Sequence, residues 1–319
     1  MKNLDSDALE CLASIVEEGG FERAAQRLSI TQSAVSQRLR ALEAQVGTVL
    51  LVRSRPVRPT AAGRLLIRHA MQMRLLRADL ETDLHDLAPT TGASREEERV
   101  SIAINADSIS TWALPALTPL VQSGIPLEII TDDQDFTHEW LREGQVLGCV
   151  TTLKQALRGC SVLPLGAMNY VAVASRRYME SACPQGLTAH NFRSIPFIAF
   201  NRKDDLPVEF VSRATGLRRV SLNQRFVPSS EGQIHAAQND WGATVVPHLL
   251  VKDLIDSGEL VDLAPGIALP VDLYWHCWNL NSAVIDKLTA ALAGAAASAL
   301  VAPNEPAKPA PGNGPKPAL

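Results

Sequence analysis

The chain has 319 residues, 46% hydrophobic and 20% charged, with a formal net charge of −4. That length suits roughly two or three domains, and the five scattered cysteines exclude a disulfide scaffold, reading as buried free thiols rather than bridges or metal ligands. No run of about 18 apolar residues and no charged-then-apolar leader is present, so no membrane partner and a cytoplasmic location are expected.

In chain order, Asp5–Glu18 reads as a capped amphipathic helix with Leu9, Leu12 and Ile15/Val16 facing inward, ended by Gly19-Gly20. Phe21, Ala24, Ala25 and Leu28 then repeat at helical spacing. Ser29-Ile30-Thr31 breaks the pattern, and Thr31 is placed to cap a following helix whose core stripe is Val35, Leu39, Leu42 and Val46. The other face presents Gln32, Ser33, Ser36, Gln37 and Arg40. Short hydrogen-bonding side chains at the start of a helix suit base edges and phosphates of a major groove. An ordinary solvated face would carry them too, but the surroundings are basic. Residues 20–77 hold eleven Arg, no Lys and two Glu, a net +9. Arg53, Arg55 and Arg58 sit in LLVRSRPVRPT, whose prolines favour an extended loop suited to a wing on the phosphate backbone. Residues 1–60 thus read as a winged helix-turn-helix for double-stranded DNA. Its candidate contacts are Thr31, Gln32, Ser33, Ser36, Gln37, Arg38 and Arg40 on the helix, and Arg53, Arg55 and Arg58 on the wing.

Thr60 can cap a long helix over 61–87, where Leu66, Ala70, Met73, Leu76, Leu80, Leu84 and Leu87 step by fours and threes. One such seam cannot bury itself. It pairs with a second copy or docks on its own chain, and pairing is expected because two half-sites add specificity. Residues 88–98 are polar with Pro and Gly, a hinge. From there apolar runs alternate with amphipathic helices, as parallel α/β sheets do: VSIAIN, PLEIIT, VLGCVTT, YVAVAS, PFIAF and ATVVP are the strands. The Ala-rich run before Val301 reads as a packed helix. Residues 302–319, rich in Pro, Gly and Ala, are expected to be disordered.

The stretches FERAAQRLSITQSAVSQRLRALEAQVG and LLVRSRPVRPTAAG resemble the N-terminal domain of the LysR-type transcriptional regulators, in particular their lysine/arginine-export activator branch, the ArgP/LysG-like regulators. NADS (105–108), TWALPAL (111–117), PSSEG (228–232), VPHLL (246–250), SGELVDLAPG (257–266) and LYWH (273–276) are similar to the same branch, so the resemblance spans roughly residues 3–300. It implies an α+β multidomain fold: winged helix-turn-helix, linker/dimerisation helix, then a periplasmic-binding-protein-like effector domain over 99–301. That domain would comprise two α/β subdomains, 99–167 plus 268–301 and 168–267, with a cleft between them and crossovers near 166–170 and 265–272. The resemblance also implies a dimer or dimer of dimers, and RNA polymerase as a partner.

Two strand ends suggest what the cleft holds. Asp132, Asp133 and Asp135 crowd after PLEII, and Asn105-Ala106-Asp107-Ser108 follows VSIAIN just before a helix. Ligands of open α/β sheets bind beyond the carboxyl ends of strands, and a helix start offers backbone N–H groups to a carboxylate. With Asp107 and Asp133 taking cationic ends, lysine or arginine fits. The family pattern brings a second helix start, Ser229-Ser230-Glu231, with Glu231 meeting the α-amino group. The effector candidates are Asn105, Asp107, Ser108, Asp133, Ser229, Ser230 and Glu231. Asp132 and Asp135 read equally well as plain turn residues, Asp107 and Ser108 have a helix-cap role as their alternative, and His276 reads as a core histidine. Asp133 matches a carboxylate of the branch, whereas Gln134 stands where relatives carry another acid, which leaves lysine, arginine and histidine open.

No G-x-S-x-G elbow, phosphate loop, G-x-G-x-x-G or H-E-x-x-H occurs. No catalytic residue, metal or cofactor is expected, only a lysine or arginine co-effector. The expectation is a ligand-controlled, sequence-specific regulator, an activator of an amino-acid exporter gene as the resemblance implies. A ligand-independent architectural or origin-binding DNA protein, and an α/β enzyme fused to a DNA-binding domain, stand as alternatives.

Overall fold

Short-range signals shape the N-terminal head. In the computed structural model, which describes residues 4–52, 54, 56–87, 99–131 and 137–302, helix α1 (Ser6–Glu17) is capped by Asp5, whose carboxylate accepts from Asp7 N at 3.0 Å. Its Leu9, Leu12 and Ile15 are buried, each worth about 1.5–3 kcal/mol of transfer free energy. Helix α2 (Phe21–Arg27) buries Ala24 and Ala25. Ser29, at φ 53°, turns the chain, and Thr31 caps α3 (Gln32–Val46) by accepting from Ala34 N at 3.2 Å. Val35, Leu39 and Leu42 are buried as their spacing predicts. Val46 departs from that stripe and is 37% exposed, because α3 ends there at Gly47 and the chain leaves for the wing. The wing is a two-strand ribbon, β1 (Leu51–Val52) against β2 (Arg58–Pro59); Arg53 and Arg55 lie outside the described residues.

Helix α4 (Ala61–Leu87) starts at Thr60, whose Oγ1 accepts from Gly63 N at 3.1 Å and donates to Val49 O at 2.9 Å. Gly63 is needed there, since a Cβ would sit 2.1 Å from Leu50 O. The seam predicted along this helix divides. Leu66, Ala70 and Met73 pack into the head's own core, whereas Leu76, Leu80 and Leu84 stay exposed; the side chain of Leu87 and the hinge 88–98 lie outside the described residues. Met71 touches both cores, and Leu75 belongs to the core of the C-terminal half. Arg74 fastens α4 to α1 through Glu10 (2.7 Å) and Glu17 (2.8 Å).

The C-terminal half runs β3 (Val100–Ala103), α5 (Ala106–Ser108), a π-helical turn (Ile109–Ala113), α6 (Leu114–Gln122), β4 (Leu127–Ile130), α7 (Thr137–Arg142), β5 (Gly148–Thr151), β6 (Cys160–Ser175), α8 (Arg176–Ala182) and β7 (Pro196–Ala199). It continues with α9 (Leu206–Thr215), β8 (Asn223–Phe226), α10 (Ser230–Gln238), β9 (Ala243–Pro247), α11 (His248–Asp256), β10 (Leu260–Asp262), β11 (Leu269–Trp278) and α12 (Ala283–Ala299). Strands lie in the order β4-β3-β5-β11-β6-β9-β7-β8, with β10 on β6. The β4-β3-β5 and β9-β7-β8 groups are each parallel, and the antiparallel β6–β11 pair joins them.

The crossovers expected near 166–170 and 265–272 are therefore largely strand. Leu269–Asp272 pairs with Tyr170–Ala167, with a register shift at Leu273/Tyr274. A paired ribbon satisfies the backbone groups that two separate loops would leave exposed in the middle of the domain. It also carries one sheet through both subdomains. Helix α12, the Ala-rich run, buries Ile285, Leu288, Leu292 and Ala296, and no helix among the described residues is long and apolar enough to cross a membrane. The five cysteines are free, and burial pushes the half-buried Cys160 thiol up to about 11. His276 is buried on β11 and its Nε2–H donates to Leu153 O at 2.6 Å. Burial lowers its pKa, which keeps the ring neutral. Residues 303–319 lie outside the described residues.

Candidate functional site

Two surfaces carry chemistry. The first is the outer face of α3. Thr31, Gln32, Ser33, Gln37 and Arg40 are exposed along it, and Ser36 is half-buried. Thr31 and Ser33 share a hydrogen bond of 2.9 Å between hydroxyls. Arg38 stands apart from this row. Its guanidinium turns to α1 and pairs with Asp7 at 3.2 Å, beside the buried Cys11. The reason is angular: two residues on from Ser36, a helical side chain has swung round towards α1. Arg58 is exposed on β2.

The basic field is also smaller than the +9 of residues 20–77 suggests. Helix α1 sets Glu17 and Glu18 against Arg27 and Glu10 and Glu17 against Arg74. Residues outside the counted window thus neutralise three of its arginines, Arg38 included.

The second surface is a cleft of about 310 Å³ between the two α/β halves. Asn105, Ala106, Asp107 and Thr152 line it from one half, Ser230 and Gln233 from α10 of the other, and Pro270–Asp272 from the joining strand β11. At its floor Asp107 is held from both sides. Tyr170 of β6 donates to Asp107 Oδ2 at 2.6 Å, and Ser230 donates to Oδ1 at 2.5 Å. Burial raises the Asp107 pKa, and the two hydroxyl donors offset part of that rise. The residue is closely surrounded yet only half-buried, because its carboxylate opens onto the cleft rather than into the core. The amide oxygen of Asn105 is buried without a hydrogen-bond partner.

Of the effector candidates, the structure brings together Asn105, Asp107 and Ser230. Ser108 is buried beneath the cleft instead of lining it, its hydroxyl unpartnered. Ser229 caps α10 by accepting from Gly232 N at 3.1 Å, and Glu231 is exposed away from the lining. Consecutive helical residues point about 100° apart. Aiming Asp107 and Ser230 inward therefore turns Ser108 and Glu231 away. Asp133 lies outside the described residues, with Asp132 and Asp135.

Sequence reasoning missed Tyr170, and with it an acidic rim: Asp204, Asp205 and Glu209 around the start of α9, and Asp272 on β11. Asp205 and Glu209, one turn apart at a helix start, were a visible pair; nothing local placed them opposite Asp107. Among the described lining residues five carboxylates face one lysine, Lys203, a local excess of acidic groups that favours a cationic group. Gln233 is engaged structurally, accepting from Thr244 at 2.9 Å.

Comparison with known proteins is consistent across both halves. The family described as bacterial regulatory helix-turn-helix protein, lysR family, matches residues 6–64, and the LysR substrate binding domain matches residues 93–297. The HTH-type transcriptional regulator ArgP of Aeromonas salmonicida is 40% identical over 282 residues, 88% of this chain and 93% of that protein. The crystal structure of ArgP from Mycobacterium tuberculosis superposes with a TM-score of 0.82 at 39% identity, covering 95% of this chain and 100% of that one. Full-length LysG from Corynebacterium glutamicum with bound effector Arg gives 0.70 at 33% identity, covering 93% and 99%.

Proposed function

This chain belongs to the LysR family of bacterial transcriptional regulators, and on that premise we propose that it binds promoter DNA as a dimer under the control of a basic amino acid held in the cleft. The observation that carries the ligand reading is Asp107. A carboxylate hydrogen-bonded by Tyr170 and Ser230, and paired with no cation among the described residues, sits at the floor of a cleft whose described lining carboxylates outnumber its lysines five to one. A ligand ammonium or guanidinium supplies the missing counter-charge, and charge-assisted hydrogen bonds of this kind are the strong ones. The relative LysG, solved with arginine, supports the same class.

Because Asp107 belongs to one half and Ser230 to the other, a cation bound there acts on how the halves sit together. Control then requires the ligand to prefer one arrangement over the other, since equal affinity would shift nothing. The exposed Leu76, Leu80 and Leu84 of α4 recur every fourth residue and form a dimer seam. Each α3 would enter a major groove, with half-sites about 34–36 Å apart. The resemblance to export activators supports a target gene for basic amino-acid export, with RNA polymerase as the downstream partner.

The test is a thermal-shift screen of the twenty amino acids, followed by binding to a randomised duplex pool with and without the hits. Lysine or arginine should raise the melting temperature by mass action, and one duplex family should be enriched. A protein indifferent to basic amino acids would remove the ligand reading, and an unselective one the promoter reading.

A further inference from the structure

A second cavity, of about 570 Å³, lies where the head and α4 meet the C-terminal half, apart from the cleft. Its volume falls within the roughly 300–1,000 Å³ typical of small-molecule sites. Helix α4 contributes Met71, Leu75 and Asp79, and the C-terminal half contributes Ile125, Leu147 and, from α12, Val284 and Lys287, with Arg99 just before β3. The seat beside it is tight. Gly144, next to the lining residue Gln145, approaches α4 so closely that a Cβ there would sit 2.8 Å from Arg68 Cα, and Leu75 is buried in the core of the C-terminal half. Packed contacts therefore border the cavity, which is no loose gap between two bodies. It also faces away from the expected dimer seam. At about 100° per residue, the lining residues Met71 and Ala78 point to the side of α4 opposite the exposed Leu76, Leu80 and Leu84, so two chains paired along that seam do not fill it.

On the head side the charges along this cavity are matched within the protein: Arg27 pairs with Glu17 and Glu18, and Arg74 with Glu10 and Glu17. Glu128 accepts from Ser101 at 2.6 Å. Asp79 is different. Its Oδ2 is buried without a hydrogen-bond partner, although buried polar atoms are nearly always paired. That oxygen calls for a donor, and a charged donor makes the stronger bond. Arg99 and Lys287 supply the converse, positive groups exposed on the C-terminal half. Met71, Leu75, Ile125, Leu147 and Val284 give the same cavity an apolar wall. We infer that this junction binds a small zwitterion with an apolar side chain, an amino acid of the leucine or phenylalanine class. Its ammonium meets Asp79, its carboxylate meets Arg99 and Lys287, and its side chain covers the apolar wall. The site is independent of the cleft, whose acidic lining favours a cation. Because α4 forms one wall and the C-terminal half the other, its occupant bridges the DNA-binding and ligand-binding parts of the chain.

The experiment is calorimetric titration of the full-length protein with leucine and with phenylalanine, alone and in excess arginine, and of Asp79→Ala with the same ligands. Alanine is the best helix former, so this variant keeps α4, and circular dichroism checks that it does. At least one of the two amino acids should bind the wild type, and excess arginine should not displace it. Asp79→Ala should weaken that binding about tenfold, as loss of a hydrogen bond to a charged group does. The carboxylate 3-phenylpropionate, which lacks the ammonium, should bind wild type and variant alike. No binding of either amino acid, displacement by arginine, or undiminished affinity in Asp79→Ala overturns the inference and leaves the cleft reading standing. An equal loss for 3-phenylpropionate also overturns it, by giving Asp79 a structural role alone.

Discussion

The face of α3 and the inter-subdomain cleft handle charge in opposite ways. On α3 the polar row runs from Thr31 to Arg40 within three helical turns, exposed apart from the half-buried Ser36, where each charge is screened and binding comes from many modest contacts. In the cleft a few carboxylates from distant parts of the chain surround one small volume, and Asp107 is held by Tyr170 of the joining strand and Ser230 of the opposite half. Many weak exposed contacts give a surface that tolerates loss of one member. A sheltered site depends on single residues.

That contrast is broken most sharply at Asp107. Asp107→Asn should weaken basic amino-acid binding by about 1.5–3 kcal/mol, the size of a hydrogen bond to a charged group, while unliganded DNA affinity stays the same; calorimetry and gel shifts measure the two. Its pH signature follows from the raised carboxyl pKa. The folded chain holds that proton to higher pH than the unfolded chain. Between the ordinary carboxylate value and the raised one, stability must fall as pH rises. Melting temperatures of the ligand-free protein across that window should show the decline, and Asp107→Asn should remove it.

A smaller effect is expected at Gln32. Gln32→Ala should cost about 1–3 kcal/mol of discrimination between operator and random duplex if it reads a base edge; equal loss on both would assign it to the backbone. Least of all is expected from single arginines. Arg58→Ala should lower the slope of log K against log salt by about 1. Arg38→Ala should leave that slope unchanged, because its guanidinium already pairs with Asp7; a change as large as at Arg58 would place Arg38 back among the phosphate contacts.

The head was legible because its signals are short-range. The Asp5, Thr31 and Thr60 caps and the Val35–Leu39–Leu42 stripe are read within one or two turns, and each is found where the spacing puts it. What those signals do not carry is the third dimension. Val46 follows the stripe but lies past the covered part of α3, and the Arg38 guanidinium turns to pair with Asp7 of α1. Within the cleft, Asn105 and Asp107 are legible through a strand end and a helix start, Ser230 through the family resemblance, and Tyr170, Asp205, Glu209 and Asp272 through neither. No local pattern says that a tyrosine in a joining strand meets an aspartate on a helix start, or that a rim on α9 faces them.

By itself the sequence determined a helix-turn-helix head, a long connecting helix and an alternating α/β half, since helical caps and apolar periodicity are properties of neighbouring residues. Only the tertiary structure decided which arginines stay available to DNA, how the connecting helix divides its seam between its own core and solvent, and which carboxylates share a cavity. Those outcomes depend on long-range closure: β6 and β11 must pair before residues 105–107, 205–209, 230 and 272 can surround the same space.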